Sequence, residues 1–532
     1  MLLKKISKLS RAAILVAFSF GINKLIAILR QLIIARQFGL SSDLDVFNVA
    51  NNIPDMLYSL ISGGALAVAI IPVLTEVMTR ENRGAAWRVF SQIANIAFFA
   101  TAVLSALVAI FSWPLVQHPL GIAPGFDISQ QTLVVHLMRM NLIGTLIFSM
   151  AGLLIAGLQA NQHFLLPALG PILYNIGQIF GAVFLSPENG YTIGSFTLPT
   201  MQLGIDGLVY GVLIGSALYF IIQIPGLIIY QFKWTPVVNF SDPDVQKILV
   251  MLGPRVVSML FYQLTFIARD NIASHLTLGS VTALTYGWMI LQVPETLIGT
   301  AIGTALLPTL SEFIAKDDMK RFTETIRKVG RVLIALALPA AILLSASLEP
   351  FLAYAFGFNT SGTNLLIDVT RAFLVGLVGH VFLELGARIF FAQQNARIPL
   401  IGAGINLFLF IISSIFLSDL YGSVGVGLAD AIAFSGQAVF LMGIFKIRII
   451  KHKKVHIQLI TFLKNFFPKK EVLITLLRSL AGSLFGGIAI WLVINFLQLS
   501  LNNLYLGVFA VFIGGLITIP FIIPELRLFL KL

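Results

Sequence analysis

The sequence predicts an all-α polytopic membrane protein with fourteen transmembrane helices. Of the 532 residues, 58% are hydrophobic and only 11% are charged, whereas about 25% of the residues in soluble domains are charged. Mean hydropathy is +0.93. Apolar runs of about 20 residues, long enough to cross a bilayer as a helix, recur along the whole chain. Lys and Arg are concentrated in alternate connections between these runs, as in proteins that cross the membrane repeatedly.

The first apolar run follows a basic segment, Met1–Arg11, that resembles the start of a signal peptide. The run continues through Lys24 and Arg30 without a convincing cleavage site, which favours a retained first helix. Glycines, prolines and charges mark the joints between successive runs. The predicted spans are 14–37, 46–71, 88–112, 131–157, 165–185, 203–230, 247–272, 280–307, 328–348, 368–391, 399–417, 424–445, 473–497 and 503–524.

The distribution of basic residues predicts that both termini are cytoplasmic, because Lys and Arg accumulate in cytoplasmic loops. The net charge of +12 is mostly this topology signal, so we expect no nucleic-acid partner. The basic stretch 446–478 is interpreted as a solvated linker, with contact to anionic lipid headgroups as the alternative. The absence of cysteine excludes disulfides. The connections without Lys or Arg are 113–130, 186–202, 273–279, 349–367, 418–423 and 498–502.

The chain contains an internal repeat. Residues 63–76 (GGALAVAIIPVLTE) match residues 299–312 (GTAIGTALLPTLSE), and Gln159-Ala-Asn161 is echoed by Gln393-Gln394-Asn395. Spans 1–6 and 7–12 therefore predict two parallel six-helix copies related by an axis along the membrane normal, with substrate bound between them. The predicted domains are 1–232 (spans 1–6), 233–446 (spans 7–12) and 447–532 (a basic cytoplasmic linker and spans 13–14).

Spans 1, 2, 7 and 8 carry polar stripes at helical spacing, and these spans are equivalent under the repeat. Charged side chains within a membrane usually face a water-filled cavity or a partner. We therefore predict one hydrophilic cavity that suits an anionic, hydrogen-bonding ligand such as a sugar diphosphate. The alternative is that these residues pair with one another and hold helices together. The predicted cavity residues are Lys24, Arg30, Asp45, Asn48, Asn52, Asp55, Arg255, Arg269, Gln292 and Glu295.

Other polar positions within the spans have simpler interpretations. His380, Glu384 and Arg388 are spaced by four residues, which favours a structural Glu–Arg pair over a proton relay. Asp270 and Asp430 are candidates for binding a coupling cation.

Asp242-Pro243-Asp244 is similar to the DxD of glycosyltransferases, but Ser241 or Asp242 as a helix N-cap, with Pro243 in the first turn, explains it better. The sequence contains no HExxH, GxSxG or Walker motif. We expect no catalytic residues, no metal site and no cofactor, and an intramembrane enzyme is therefore disfavoured.

Together, several motifs resemble the MurJ/MviN-type lipid II flippases of the multidrug/oligosaccharidyl-lipid/polysaccharide exporter superfamily, over essentially all fourteen spans. None of these motifs would suffice alone. They are residues 30–39 (RQLIIARQFG), 45–50 (DVFNVA), 63–66 (GGAL), 71–76 (IPVLTE), 123–126 (APGF), 161–164 (NQHF) with Pro167, Pro171 and Asn175, Gly253-Pro254 with Gln263, and 303–311 (GTALLPTLS).

This resemblance implies export of the undecaprenyl-diphosphate-linked peptidoglycan precursor across the bacterial cytoplasmic membrane by alternating access. The lipid-linked sugar-peptide and membrane lipid would be the partners, and a coupling cation or the membrane potential would drive transport. Lys24, Arg30 and Asp45 match cavity positions of the family, with lysine where arginine is usual at position 24. A groove formed by spans 13–14 would hold the polyprenyl tail.

The chain departs from the family at other cavity positions. Tyr58 replaces an arginine, Trp288-Met289 replaces an Asp-Arg pair, and Gln31 replaces an aspartate. Our hypothesis is that Arg255 and Arg269 on span 7 restore the missing positive charge. The departures leave open a different polyprenyl-diphosphate oligosaccharide as the substrate, or a non-transporting scaffold for cell-wall synthesis.

Overall fold

A computed structural model describes residues 8–61, 64–193, 196–452, 470–497 and 503–530. This part of the chain is almost entirely helical, with one short antiparallel hairpin of β1 (Thr192–Ile193) and β2 (Phe196–Thr197). Within it, nine helices are long and apolar enough to cross a membrane. A tenth is added if the helices Thr360–Val375 and Leu377–Ala392, bent by 42°, form one span. The predicted class of all-α polytopic membrane protein is confirmed, while the count of fourteen spans stays a prediction.

The described residues form eighteen α-helices, ten of them before residue 274. They are α1 (Lys8–Phe38), α2 (Ser42–Ile61), α3 (Gly64–Arg80), α4 (Arg83–Ile110), α5 (Ser112–Gln117), α6 (Ile128–Ala160), α7 (Leu165–Phe180, continued by a π-helix Gly181–Leu185), α8 (Ile205–Ile221), α9 (Ile224–Ile229), α10 (Pro243–Ala273), α11 (Ser280–Glu295, continued by a π-helix Thr296–Thr300), α12 (Ala301–Ala315), α13 (Met319–Phe356), α14 (Thr360–Val375), α15 (Leu377–Ala392), α16 (Arg397–His452), α17 (Lys470–Leu497) and α18 (Asn503–Phe529).

The same backbone geometry recurs in the two predicted repeat copies. Gly204 precedes α8 with φ 55° and ψ −132°, and Gly422 interrupts α16 with φ 56° and ψ −133°. Left-handed φ values of this kind favour glycine, because glycine has no Cβ to clash with the backbone. The break at Gly422 divides α16 into two segments and lies within the predicted connection 418–423, while the separation into spans 11 and 12 stays a prediction.

The ends of α6 and α15 also share one cap. Gln162 and Gln394 both adopt positive φ, at 60° and 55°. The next residue in each case donates its backbone N–H five residues back, from His163 to Leu158 at 3.0 Å and from Asn395 to Phe390 at 2.9 Å. This 6→1 bond is typical of the Schellman motif, which satisfies carbonyl groups at the end of a helix.

The described chain forms two compact units, Met1–His275 and Leu276–Leu532, called here the first and second unit. Helix α10 packs on α2 and α3 in the first unit, and α17 and α18 pack on each other and on α13 in the second. The domain limits predicted at residues 232 and 446 are based on the sequence repeat, whereas the two units are defined by compactness. The predicted domains therefore stay a prediction.

Candidate substrate site

Helix α2 provides most of the polar side chains of the candidate site in the first unit. Its apolar positions Val46, Val49, Ile53 and Leu57 follow helical spacing and are buried. Its polar positions occupy the remaining faces and include three aspartates within 20 residues. This polarity explains why α2 is not among the helices that qualify as membrane spans by composition.

A charged network joins α2 to α10. The Asp270 carboxylate is 1% exposed; its Oδ2 accepts a hydrogen bond from Asn52 Nδ2 at 2.6 Å. Its other oxygen accepts from Nε and Nη2 of Arg269 at 2.9 and 2.8 Å. The guanidinium also lies over the Phe266 ring at 5.2 Å. Because hydrogen bonds to a charged group are the strong ones, this network fixes the rotation of α10 against α2.

A second polar connection joins α1 to α2 and α7. Arg30 interacts electrostatically with Asp55 on α2, and its Nη2 donates to the Gln31 side chain at 3.2 Å. One polar line of α1 contains Asn23, whose amide oxygen accepts from Asn175 Nδ2 at 2.9 Å. The predicted polar stripe of span 1 therefore faces other helices of the first unit.

Tyr58, at the position of a family arginine, belongs to an aromatic cluster rather than to a cationic one. Its ring lies 4.5 Å from that of Phe148. Phe148 stacks on Tyr219 at 4.4 Å and packs against Tyr174 at 4.7 Å. Aromatic clusters combine a large apolar area with hydroxyl groups that can donate hydrogen bonds.

Two asparagines of the network were not among the predicted cavity residues. Asn141 on α6 donates to Asn51 Oδ1 at 2.7 Å, and Asn175 on α7 reaches Asn23. Both side chains are buried. An amide within a predicted membrane span is the available signal, because a buried polar group requires a hydrogen-bond partner.

The predicted residues of the second unit lie on α11. Glu295 accepts hydrogen bonds from Thr300 at 3.1 Å and Thr296 at 3.4 Å, and it interacts electrostatically with Glu384. Gln292 is half-buried one turn earlier. Trp288, at a departed family position, packs among the rings of Phe373, His380 and Phe434.

The structure brings together some of the predicted cavity residues of the first unit. Arg30 with Asp55, and Asn52 with Arg269 through Asp270, form the two connections above. Lys24 is exposed, and the side chain of Arg255 lies outside the described residues. Asp45 is buried in the first turn of α2, and Asn48 is half-buried one turn later. Their role in a shared cavity stays a prediction.

The two cation candidates both have protein partners. Asp270 is bound by Arg269 and Asn52, as described. Asp430 Oδ2 lies 3.0 Å from Nε2 of His380, and both side chains are buried. Among the described residues there is no group of three His, Asp or Glu side chains that could hold a metal ion. Cation binding at either aspartate stays a prediction.

Two local predictions are confirmed. Arg388 Nη2 donates to Glu384 at 2.8 Å, which is the predicted Glu–Arg pair. Asp242 is the N-cap of α10 with Pro243 at the start of the helix, and its Oδ1 accepts from the backbone N–H of Asp244 at 2.9 Å. Asp244 in turn pairs with Arg80 at 2.7 Å, so the DxD-like sequence is explained by a helix start.

A family model described as "Lipid II flippase MurJ" matches residues 34–510. The chain belongs to this family. Its relatives include the "Lipid II flippase MurJ" of Burkholderia cenocepacia, 28% identical over 401 residues and covering 74% of this chain and 75% of the relative. The "Probable lipid II flippase MurJ" of Vibrio cholerae is 25% identical over 499 residues, covering 91% and 89%.

Solved structures of MurJ and of a related transporter share the fold of this MurJ-family chain. A lipid II flippase MurJ in an inward closed conformation superposes with a TM-score of 0.74 at 22% identity, covering 96% of this chain and 98% of that structure. An inward-facing multidrug resistance MATE transporter of the MOP superfamily gives 0.66 at 15% identity, covering 83% and 100%. With its apolar helices, this chain is a multi-pass membrane protein.

Proposed function

We propose that this protein is a flippase that exports lipid II, the undecaprenyl-diphosphate-linked peptidoglycan precursor, across the bacterial cytoplasmic membrane. The match of the family model over residues 34–510 carries the proposal. The polar connections of α1, α2 and α10 support it, because intramembrane ions mark substrate and ion pathways. Both termini would be cytoplasmic, according to the distribution of Lys and Arg.

The side chains of the first unit suggest how a diphosphate-sugar head would be held. Arg30 would contact the diphosphate, because a guanidinium presents several donors in a geometry that matches phosphate oxygens. Asp55 beside it would stabilise the empty site by partial neutralisation. Neighbouring amides such as Asn48 would donate to sugar hydroxyls. The polyprenyl tail would stay in lipid, with α17 and α18 beside it, and a coupling cation or the membrane potential would drive the cycle.

Headgroup labelling of lipid II in vesicles, with and without the protein, tests the proposal. Translocation of unmodified lipid II above the protein-free rate would support a flippase. A chemical change in the lipid would indicate an enzyme, and absence of both would favour a scaffold. Either of these two results would overturn the proposal.

Arg30→Gln and Arg36→Gln provide a matched pair for the same vesicles. Both remove one cation from α1, but 100° per residue places Arg36 about 120° away from Arg30 around the helix. A lost charge-assisted hydrogen bond of about 1.5–3 kcal/mol predicts a roughly ten- to hundredfold slower rate for Arg30→Gln. Arg36→Gln should stay close to the parent rate. Equal effects of the two substitutions would argue against contact between Arg30 and substrate.

The compensation hypothesis for span 7 now depends chiefly on Arg255, because Asp270 already balances the charge of Arg269. Replacing both arginines with glutamine should abolish complementation of a flippase-depleted strain. Normal growth of that strain would refute compensation.

Another polyprenyl-diphosphate oligosaccharide is the second candidate substrate. The observation that favours it is the packing of Trp288 among Phe373, His380 and Phe434, where the family has a charged pair. Competition between lipid II and a lipid with the same tail and a different oligosaccharide, in the same vesicles, distinguishes the two.

A further inference from the structure

A buried histidine–aspartate pair lies in the second unit. His380 on α15 places Nε2 at 3.0 Å from Oδ2 of Asp430 on the second segment of α16. The side chains are 5% and 7% exposed. The imidazole stacks on Phe434 at 3.9 Å, and the Trp288 ring lies 5.4 Å away. The pair is therefore in direct contact with aromatic rings.

The surroundings determine which charge state this pair can hold. With one shared proton, either as imidazolium and carboxylate or as two neutral groups, the pair has no net charge. Without that proton the pair itself has one net negative charge, and burying a net charge beside aromatic rings is costly. Water entering between α15 and α16 would lower this cost and allow the proton to leave. Proton occupancy is therefore linked to the packing of these two helices.

One charged group on α15 interacts with the histidine of the pair. Glu384, one turn further along α15, interacts electrostatically with His380, with Glu295 on α11 and with its partner Arg388. Among the described residues of the other packed helices, several charged groups have partners of their own. These pairs are Glu312 with Lys316 on α12, Arg331 on α13 with Glu525 on α18, and Asp368 with Arg371 on α14.

We propose that His380 and Asp430 form a site that binds one proton, and that release of this proton to water accompanies a conformational step of the transport cycle. The proton moves between the pair and water, and no other bond is made or broken. Its coupling to transport rests on the proposed flippase function, whereas proton binding itself does not. A pH difference of one unit would then bias substrate distribution about tenfold for each proton moved.

The first experiment measures coupling in proteoliposomes that contain a pH-sensitive dye, with lipid II as substrate. The variant His380→Gln/Asp430→Asn keeps a hydrogen-bonded, uncharged pair that cannot titrate. The control His136→Gln/Asp206→Asn makes the same exchange at an exposed pair 3.2 Å apart. A pH gradient should accelerate lipid II translocation by the parent and by the control, and the dye should report proton movement. The His380/Asp430 variant should translocate lipid II only at the rate measured without a gradient.

Stimulation of the His380/Asp430 variant equal to that of the parent, or absence of a gradient effect in the parent, would overturn coupling at this pair. A parent that translocates no lipid II under any condition would instead overturn the proposed function, and coupling with it. Proton binding is then decided by the second experiment, which requires no substrate.

The second experiment uses Trp288 as a local reporter in the purified full-length protein. Protonated imidazole quenches a neighbouring indole, so the fluorescence difference between the parent and Trp288→Phe should titrate with pH as a one-proton curve. The same difference measured in the His380/Asp430 variant background should be flat, whereas the His136/Asp206 control background should titrate like the parent. A flat parent curve, or a titration that survives in the variant, would contradict the proposed proton site.

Discussion

The hydrogen bond between Asn52 and Asp270 should stabilise the first unit more than a neutral bond from the same helix. Interhelical hydrogen bonds in membranes contribute about 0.6 kcal/mol on average and at most about 1.7 kcal/mol. The Asp270 carboxylate is charged, 1% exposed and only 2.6 Å from Asn52 Nδ2, which places this bond at the upper end. We therefore expect Asn52→Ala to lower the free energy of unfolding by about 1.5 kcal/mol.

Asn51→Ala is the matched control. Asn51 is the neighbouring residue on α2, and its side chain accepts a neutral hydrogen bond from Asn141 at 2.7 Å. Its removal should cost about 0.6 kcal/mol. Asp270→Ala should cost more than either, about 3–5 kcal/mol, because it leaves the Arg269 guanidinium without its carboxylate.

Reversible unfolding by SDS in mixed micelles, followed by circular dichroism, measures the three free energies. We expect the loss of unfolding free energy to be largest for Asp270→Ala, smaller for Asn52→Ala and smallest for Asn51→Ala. An Asn52→Ala effect no larger than that of Asn51→Ala would refute the argument that the buried charge strengthens this bond.

Two further predictions concern stability at other sites. Glu525→Ala should lower the free energy of unfolding by about 3–5 kcal/mol in the same assay, because the buried carboxylate binds both Arg331 and Arg478. An unchanged free energy would show that water hydrates these arginines when the carboxylate is removed. Hydrogen bonding from the Gln130 backbone N–H holds the pKa of Asp127, the N-cap of α6, below its ordinary 3.8. Its ionised form therefore stabilises the fold above pH 3.8, and this contribution is lost as the pH falls through the lowered pKa. Asp127→Ala should lower the midpoint temperature of thermal unfolding at pH 7, and it should lower this temperature much less at acidic pH. Equal shifts at the two pH values would contradict the capping role.

Sequence reasoning succeeded where the deciding contact is local. The pair of Glu384 with Arg388 follows from a spacing of one helical turn, and the start of α10 follows from Asp242 before a proline. Composition alone gives the helical membrane class, because no soluble core requires so much apolar surface. These features depend on neighbours within a few residues and on the solvent around the chain.

The pairings between helices could not be predicted. Asn52 and Asp270 are separated by 218 residues, and His380 and Asp430 by 50. Helical periodicity places such residues on a face, but the rotation and depth of the facing helix decide which partner they reach. The sequence therefore indicates Asp270 and Asp430 as polar positions within spans, but it does not indicate Asn52 and His380 as their partners.

The recurring glycine and glutamine geometries show where the two predicted copies differ in length. From Gln162 to Gly204 the chain advances 42 positions (162 to 204), but from Gln394 to Gly422 only 28 (394 to 422). The β-hairpin lies within the longer stretch. The difference in length thus coincides with the connection that contains the hairpin, while the backbone at both ends has the same shape. We therefore expect this connection to tolerate changes in length better than the backbone on either side of it.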